Sequence, residues 1–224
     1  MSILTSWGFI VAANEDENSR TGESSAATLD YLLKLNEDKD SDFYQHVDKD
    51  NIGIAGHSQG GVGAINAVTN QSNGSMYKTI VSESPTSSAL AYTLNPALGG
   101  GWDCEPSKLS IPSFFLAGTG SADAGNVDEY RLELKDGETQ GIAPRWWLNE
   151  CFEKTSANND AVMGRVIGKD HGDIPTAADG YLTAWFTYYL KGDEEAGKAF
   201  FGGNAEILSN PNWTDVTVSK EESL

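Results

Sequence analysis

Cysteine, histidine and positive charge are all scarce in this chain of 224 residues. Two cysteines, Cys104 and Cys151, cannot make a disulfide framework, and their separation fits no zinc spacing. They leave two arrangements open, one disulfide if the protein is exported or two reduced, buried thiols. Three histidines, with no His-x-x-His or Cys-x-x-Cys pair, argue against a structural metal. Lys and Arg total 15 against 33 Asp and Glu, a formal net charge of −18. That balance argues against nucleic acid and anionic membrane surfaces as partners. The acids are spread along the chain, the pattern of a solvated surface rather than of an acidic binding tail. No run approaches the ~18 apolar residues that a membrane span needs. Residues 1–13 are apolar, but no Lys or Arg precedes them and Trp7-Gly8 interrupts them, so no signal peptide is read there.

What is present is a chain long enough to bury one sizeable core. We expect a single domain over residues 1–224, with a core of about 4–202 and a C-terminal extension over 203–224. Residues 7–13 are continuously apolar and read as a strand buried on both faces, which begins the sheet near the first residue. Leu29, Leu32, Leu33 and Leu35 recur at helical spacing and predict a helix over 24–36. Residues 36–50 are a charged connection. Strands are predicted over 77–82, 111–117 and 162–167, the last ending the sheet, and helices over 143–153 and 176–190. Residues 86–110, rich in Ser, Gly, Asn and Pro, read as a long surface excursion. Trp146, Trp147 and the aromatic face of the 176–190 helix are assigned to the core. Strands alternating with helices imply an α/β fold with a mostly parallel sheet flanked by helices.

The chain's most informative stretch lies at residues 50–63. Ile52, Ile54 and Ala55 lead into Gly56-His57-Ser58-Gln59-Gly60, and a helix-compatible run follows. Glycines on both flanks of Ser58 suit a strand-to-helix turn too tight for side chains, the nucleophile elbow of the α/β hydrolases. Catalytic groups in such sheets gather beyond the carboxyl ends of the strands. Ser58, Asp123 and His171 each follow a predicted strand, in the chain order Ser, Asp, His. A serine hydroxyl attacks only when a base takes its proton, and the base needs a carboxylate to fix its tautomer. His46 lies in the charged connection, and His57 adjoins the serine with its ring expected to point away, which leaves His171 as the base. Asp123 is the favoured acid because small residues surround it; Ser121 sits closer to the strand end, and Asp128 and Glu129 are near enough in sequence to compete. Asp170 and Asp173 read as solvated neighbours of His171. The amide of Gln59 is the expected oxyanion donor.

Gly56-His57-Ser58-Gln59-Gly60-Gly61, the opening Ser6-Trp7-Gly8-Phe9-Ile10-Val11, the helix Ala27-Thr28-Leu29-Asp30-Tyr31-Leu32 and the closing Ala184-Trp185-Phe186 with Tyr189-Leu190-Lys191-Gly192-Asp193 resemble the dienelactone hydrolase and polyester hydrolase (cutinase-like) group of the α/β hydrolases. The resemblance implies a carboxylic-ester hydrolase without a cofactor, acting on a small-molecule or polymeric ester through an acyl-enzyme on Ser58, with Asp123 and His171 completing the triad. Polyester hydrolases usually carry Met after the nucleophile and an aromatic residue after the Pro that ends the next strand. Here Gln59 and Thr86 stand there, which implies an esterase more firmly than a polymer-degrading enzyme. Members of the group also carry strands ahead of the Trp-Gly-Phe segment, and the loop after one of them supplies half of the oxyanion hole. On that comparison the fold is expected to be N-terminally truncated, with an unpaired sheet edge and Gln59 as the one oxyanion donor. A catalytically silent fragment or binding module is the alternative reading, and acyl transfer to an alcohol would use the same residues.

Overall fold

The computed structural model describes residues 2–157 and 159–219. Its elements are, in order, α1 (Ser2–Ser6), α2 (Glu23–Glu37), β1 (Ile52–His57), α3 (Gln59–Asn70), β2 (Tyr77–Glu83), α4 (Ser88–Leu98), β3 (Ser113–Gly118) and α5 (Ser121–Ala124). There follow α6 (Arg145–Ser156), β4 (Ala161–Val166), α7 (Ile174–Ala177), α8 (Asp179–Lys191), α9 (Glu194–Gly197), α10 (Glu206–Ser209) and β5 (Trp213–Val218). The strands form one sheet in the order β1-β2-β3-β4-β5, parallel except for the antiparallel β4–β5 pair. Helices flank a mostly parallel sheet, which is the α/β-hydrolase type of architecture.

Consecutive residues of the central strands alternate between two apolar layers. Ile80 and Phe115 join Ile54, Ile65, Trp147, Leu148 and Met163 on one face. Val81 and Phe114 join Leu116, Trp185, Phe186, Phe200 and Trp213 on the other. That is why these strands read as unbroken hydrophobic runs: a parallel sheet covered by helices buries both faces. Trp185 is fully buried, and its indole N–H donates to Thr79 Oγ1 at 2.7 Å, which ties α8 to β2 without leaving a buried donor unpaired. The expected core roles of Trp147 and of the α8 aromatics hold. Cys104 and Cys151 pack in the first layer as free thiols, and burial pushes the Cys104 thiol up to about 12.

Three expectations are corrected. Residues 7–13 are not a strand: after α1 they run without regular structure, with Trp7 and Ile10 largely exposed. An apolar run becomes a strand only when a neighbour completes its ladder, and among the described residues β1 pairs with β2 alone. Residues 8–14 instead line a groove of about 910 Å³ that runs along the open edge of β1 between α2 and α8. Phe9 rests there 6.5 Å from the Phe186 ring, with the Lys191 ammonium 4.4 Å above it. Second, the 86–110 excursion contains α4, whose N-cap Ser87 accepts from the Leu90 amide. Its Pro96 falls in the last turn, so the N–H it lacks costs α4 one hydrogen bond close to its end rather than in mid-helix. Third, 162–167 is not the sheet's last strand. Residues 213–218, expected to lie in an extension beyond the core, form β5, and Arg165 of β4 grips Asp215 through two hydrogen bonds of 2.9 and 2.6 Å. Residues 220–224 of that expected extension lie outside the described residues.

The sheet register aligns the strand ends that carry polar residues. His57 of β1 lies beside Glu83 of β2, Glu83 beside Leu116 of β3, and Gly118 of β3 beside Val166 of β4. The segments that follow the parallel strands β1 to β4 therefore open onto one rim.

Candidate active site

Ser58 sits where β1 turns into α3, with φ 61° and ψ −123°. A non-glycine residue in this region is strained, and the surrounding bonds hold it there. The Ser58 amide donates to the Glu83 carbonyl at 2.9 Å, and its own carbonyl accepts from Gly61 N–H at 2.9 Å. A Cβ at position 56 would lie 1.9 Å from the Gly60 carbonyl oxygen, so only glycine fits beneath the turn. Gly60 was expected to be constrained in the same way, but a Cβ there would meet only Ser19 Oγ at 3.8 Å.

The rim brings Ser58, His171 and Asp123 together. His171 Nε2 lies 2.9 Å from Ser58 Oγ, and His171 Nδ1 lies 2.7 Å from Asp123 Oδ1. An ionised carboxylate only accepts, so Nδ1 carries the proton donated to Asp123 and Nε2 is free to accept from the serine hydroxyl. Asp123 is fully buried. Its other oxygen accepts from Ser84 Oγ–H at 2.6 Å and from Gly118 N–H at 2.8 Å, so the carboxylate is held on both sides. Ser121 opens the same short helix, and the competing Asp128 and Glu129 lie in the segment beyond it; it is Asp123 that accepts the His171 Nδ1–H bond. His46 is exposed in the connection before β1.

Three neighbours escaped the sequence reading. His57 does not stand apart from the site: its Nε2–H donates to the His171 carbonyl at 2.8 Å, and the two rings lie 4.5 Å apart. Burial lowers the pKa of His57, against the opposing pull of its bond to the His171 carbonyl. Ser84, buried with φ 43°, supplies the hydroxyl that fixes Asp123. Asp170 is not simply solvated, since its carboxylate accepts from the His171 amide at 2.8 Å. Nothing in the sequence distinguished Ser84 from the serines around it. The Glu83-Ser84-Pro85 strand end was visible, but its side-chain direction was not.

Gln59 begins α3, so its amide is among the first-turn N–H groups that have no acceptor within the helix, and it lies next to the serine. Its side-chain amide donates to the Glu17 carbonyl at 3.0 Å, so the side chain is tied to the segment before α2. Thr86 is buried and presents no surface to a substrate. The groove along β1 reaches the elbow at Gly56 and Gly60, but Ser58 is not among the residues that line it. Glu83 does line it. Nearly fully buried, with Oε1 lacking a hydrogen-bond partner, its carboxyl is pushed up to about 7 by burial and by the charge of Asp179. Among the described residues no group of three or more His, Cys, Asp or Glu could hold a metal ion, and no helix is long and apolar enough to cross a membrane.

A parallel sheet with a strand–turn–helix serine at its rim belongs to the α/β-hydrolase type, the class in which a serine, a histidine and an acid are carried on successive strand ends. Residues 2–94 match a family model described as PET hydrolase-like. The chain thus resembles the polyester hydrolase group of the α/β hydrolases, the group its motifs pointed to, and the match supports a hydrolase acting on esters. The matched stretch contains Ser58 and ends before Asp123 and His171. No curated protein matches the chain.

Proposed function

We propose that this protein is a serine esterase that cleaves carboxylic esters through an acyl-enzyme on Ser58. The observation that carries the reading is the continuous chain Ser58 Oγ, His171 Nε2, His171 Nδ1, Asp123 Oδ1, with links of 2.9 and 2.7 Å. His171 Nε2 takes the hydroxyl proton as Ser58 Oγ bonds to the ester carbonyl carbon, and the buried Asp123 stabilises the imidazolium. The negative charge that develops on the carbonyl oxygen is met by the Gln59 amide and the positive end of α3. Collapse of the tetrahedral species breaks the bond to the alcohol oxygen, which receives the proton from His171. Water then repeats the sequence: His171 takes its proton, its oxygen bonds to the acyl carbon, and Ser58 leaves with the proton as the acid is released. The buried Thr86 supports small esters over polymer chains, because nothing flat and aromatic stands at that place.

Hydrolysis of p-nitrophenyl acetate tests the reading. We expect turnover by the wild type and its loss, by about 10³-fold or more, in Ser58→Ala and His171→Ala. Turnover that survives in Ser58→Ala rejects the assignment. A second reading, a binding module with a silent triad, is favoured by the position of the elbow on the sheet's open edge, where α3 contributes one oxyanion donor. Losing one such donor costs about 10²–10³-fold in rate. Stoichiometric labelling of Ser58 by a fluorophosphonate without measurable ester turnover would favour that reading.

A further inference from the structure

We propose that Asp170 is a positioning residue that sets the distance between the acid and the base, by capping from a different strand end the turn that carries Asp123. The inference rests on the proposed roles of Asp123 and His171. The short helix α5 places Asp123 in its first turn, and its N-cap position is held by Gly120, which has no side chain to accept from the exposed amides. Such amides need an acceptor, ordinarily the side chain of the N-cap residue itself. Asp170, 47 positions beyond Asp123, supplies it. Its Oδ1 accepts from Ala122 N–H at 3.0 Å and from Asp123 N–H at 3.1 Å, and its Oδ2 lies 3.2 Å from the Ala122 amide. The same Oδ1 accepts from His171 N–H at 2.8 Å. One oxygen thus holds the backbone of both the acid and the base.

The rest of this junction is built to bring Asp170 in. A Cβ at position 120 would stand 2.4 Å from Asp170 Cβ, and one at position 118 would stand 2.2 Å from the Lys169 carbonyl oxygen. Gly120 N–H donates to Lys169 O at 2.7 Å, and Gly168 N–H to Thr119 Oγ1 at 2.8 Å, so the two turns are stitched together on either side of the carboxylate. Asp173 completes the arrangement by accepting from the Asp170 amide at 3.1 Å. Burial opposes ionisation of Asp170, but the amides of His171, Ala122 and Asp123 hold its carboxyl below the ordinary carboxylate range. A group so placed touches no reacting atom. Its effect on the reaction passes through the Asp123–His171 hydrogen bond, and misplacement by about 1 Å can cost about 10²-fold in rate.

The test compares Asp170→Ala, Asp170→Asn and Gly120→Ala with the wild type by three measurements: thermal midpoint, kcat and KM on p-nitrophenyl acetate, and the proton NMR signal of His171 Nδ1–H. Asp170→Asn keeps an oxygen acceptor and is expected to stay within about 3-fold of wild-type kcat with the signal retained, whereas Asp170→Ala falls about 10- to 100-fold with KM nearly unchanged and the signal lost to exchange. Gly120→Ala, which displaces Asp170 while keeping its carboxylate, should follow Asp170→Ala. A folded Asp170→Ala that keeps both the NMR signal and wild-type kcat overturns the proposal, as does a loss in Asp170→Asn equal to that in Asp170→Ala. The NMR signal reports on the Asp123–His171 bond without any turnover. Absence of Ser58-dependent activity in the wild type would therefore count against the esterase reading, while the Asp170 comparison would still be decided by the resonance.

Discussion

Replacing Glu83 by Gln is expected to remove a pH-dependent weakness from the fold. Glu83 ends β2 with about 5 % of its surface exposed, and its Oε1 has no hydrogen-bond partner. Burial, with the charge of Asp179 adding to it, raises the carboxyl from an ordinary 4.5 to about 7. The sign follows from proton counting. Between these two values the folded chain holds a proton that the unfolded chain has released, so stability falls as pH rises through that window. Below about 4.5 both states are protonated and the penalty vanishes; above about 7 it is complete. The rise corresponds to about 3 kcal/mol at full extent, most of which develops between pH 5 and pH 8. Gln has the same shape and does not titrate. Urea unfolding of both proteins at pH 5 and pH 8 should show the wild type losing about 2 to 3 kcal/mol more than Glu83→Gln, with the same dependence of ΔG on urea. Because every other titrating group is common to the two proteins, the comparison isolates this one. Parallel losses, within about 0.5 kcal/mol, would refute the argument that Glu83 is held protonated by its surroundings.

Further outcomes follow from other contacts. Ser84→Ala removes one of the two donors to Asp123 Oδ2 and should lower kcat about 10-fold with little change in thermal midpoint; an unchanged kcat would show that Gly118 N–H alone suffices. Trp185→Phe deletes the bond to Thr79 Oγ1 and leaves a void among Phe114, Phe200 and Tyr189; a loss of about 2–4 kcal/mol is expected in urea titrations, and a loss under about 1 kcal/mol would contradict the packing described. Arg165→Met leaves Asp215 with the longer Arg145 contact at 3.3 Å. It should cost about 2 kcal/mol and speed amide exchange in β5 before the parallel strands, whereas uniform exchange would mean that β5 is not held through this pair.

Much of the candidate site was legible in the sequence because its turn is local. Gly56 and Ser58 define a turn by their own sterics, and the order of Ser58, Asp123 and His171 follows from where polar residues succeed apolar strands. The parallel strands were legible for a related reason, since burial on both faces erases alternation and leaves runs such as Ser113–Gly118. Residues 8–13 have the same apolar character and no ladder, which composition cannot reveal. β5 was hidden by the opposite effect: an edge strand with Asp215 in its middle, at φ 53°, alternates weakly and looks like a tail. α4 was hidden by Pro96, which reads as a breaker unless its position in the last turn is known. What the sequence could least show was side-chain direction. In sequence Asp170 and His57 look like bystanders, and the structure turns one toward the amides of Ala122 and Asp123 and the other toward the His171 carbonyl.

The central claim is that Ser58 is a nucleophile activated by His171. Treatment with a fluorophosphonate, followed by intact mass measurement and peptide mapping, tests it without assuming any substrate. The account predicts a single adduct on Ser58, formed at least about 10²-fold more slowly in His171→Ala and not at all in Ser58→Ala. Labelling at another residue, or labelling of Ser58 at the wild-type rate in His171→Ala, would contradict it.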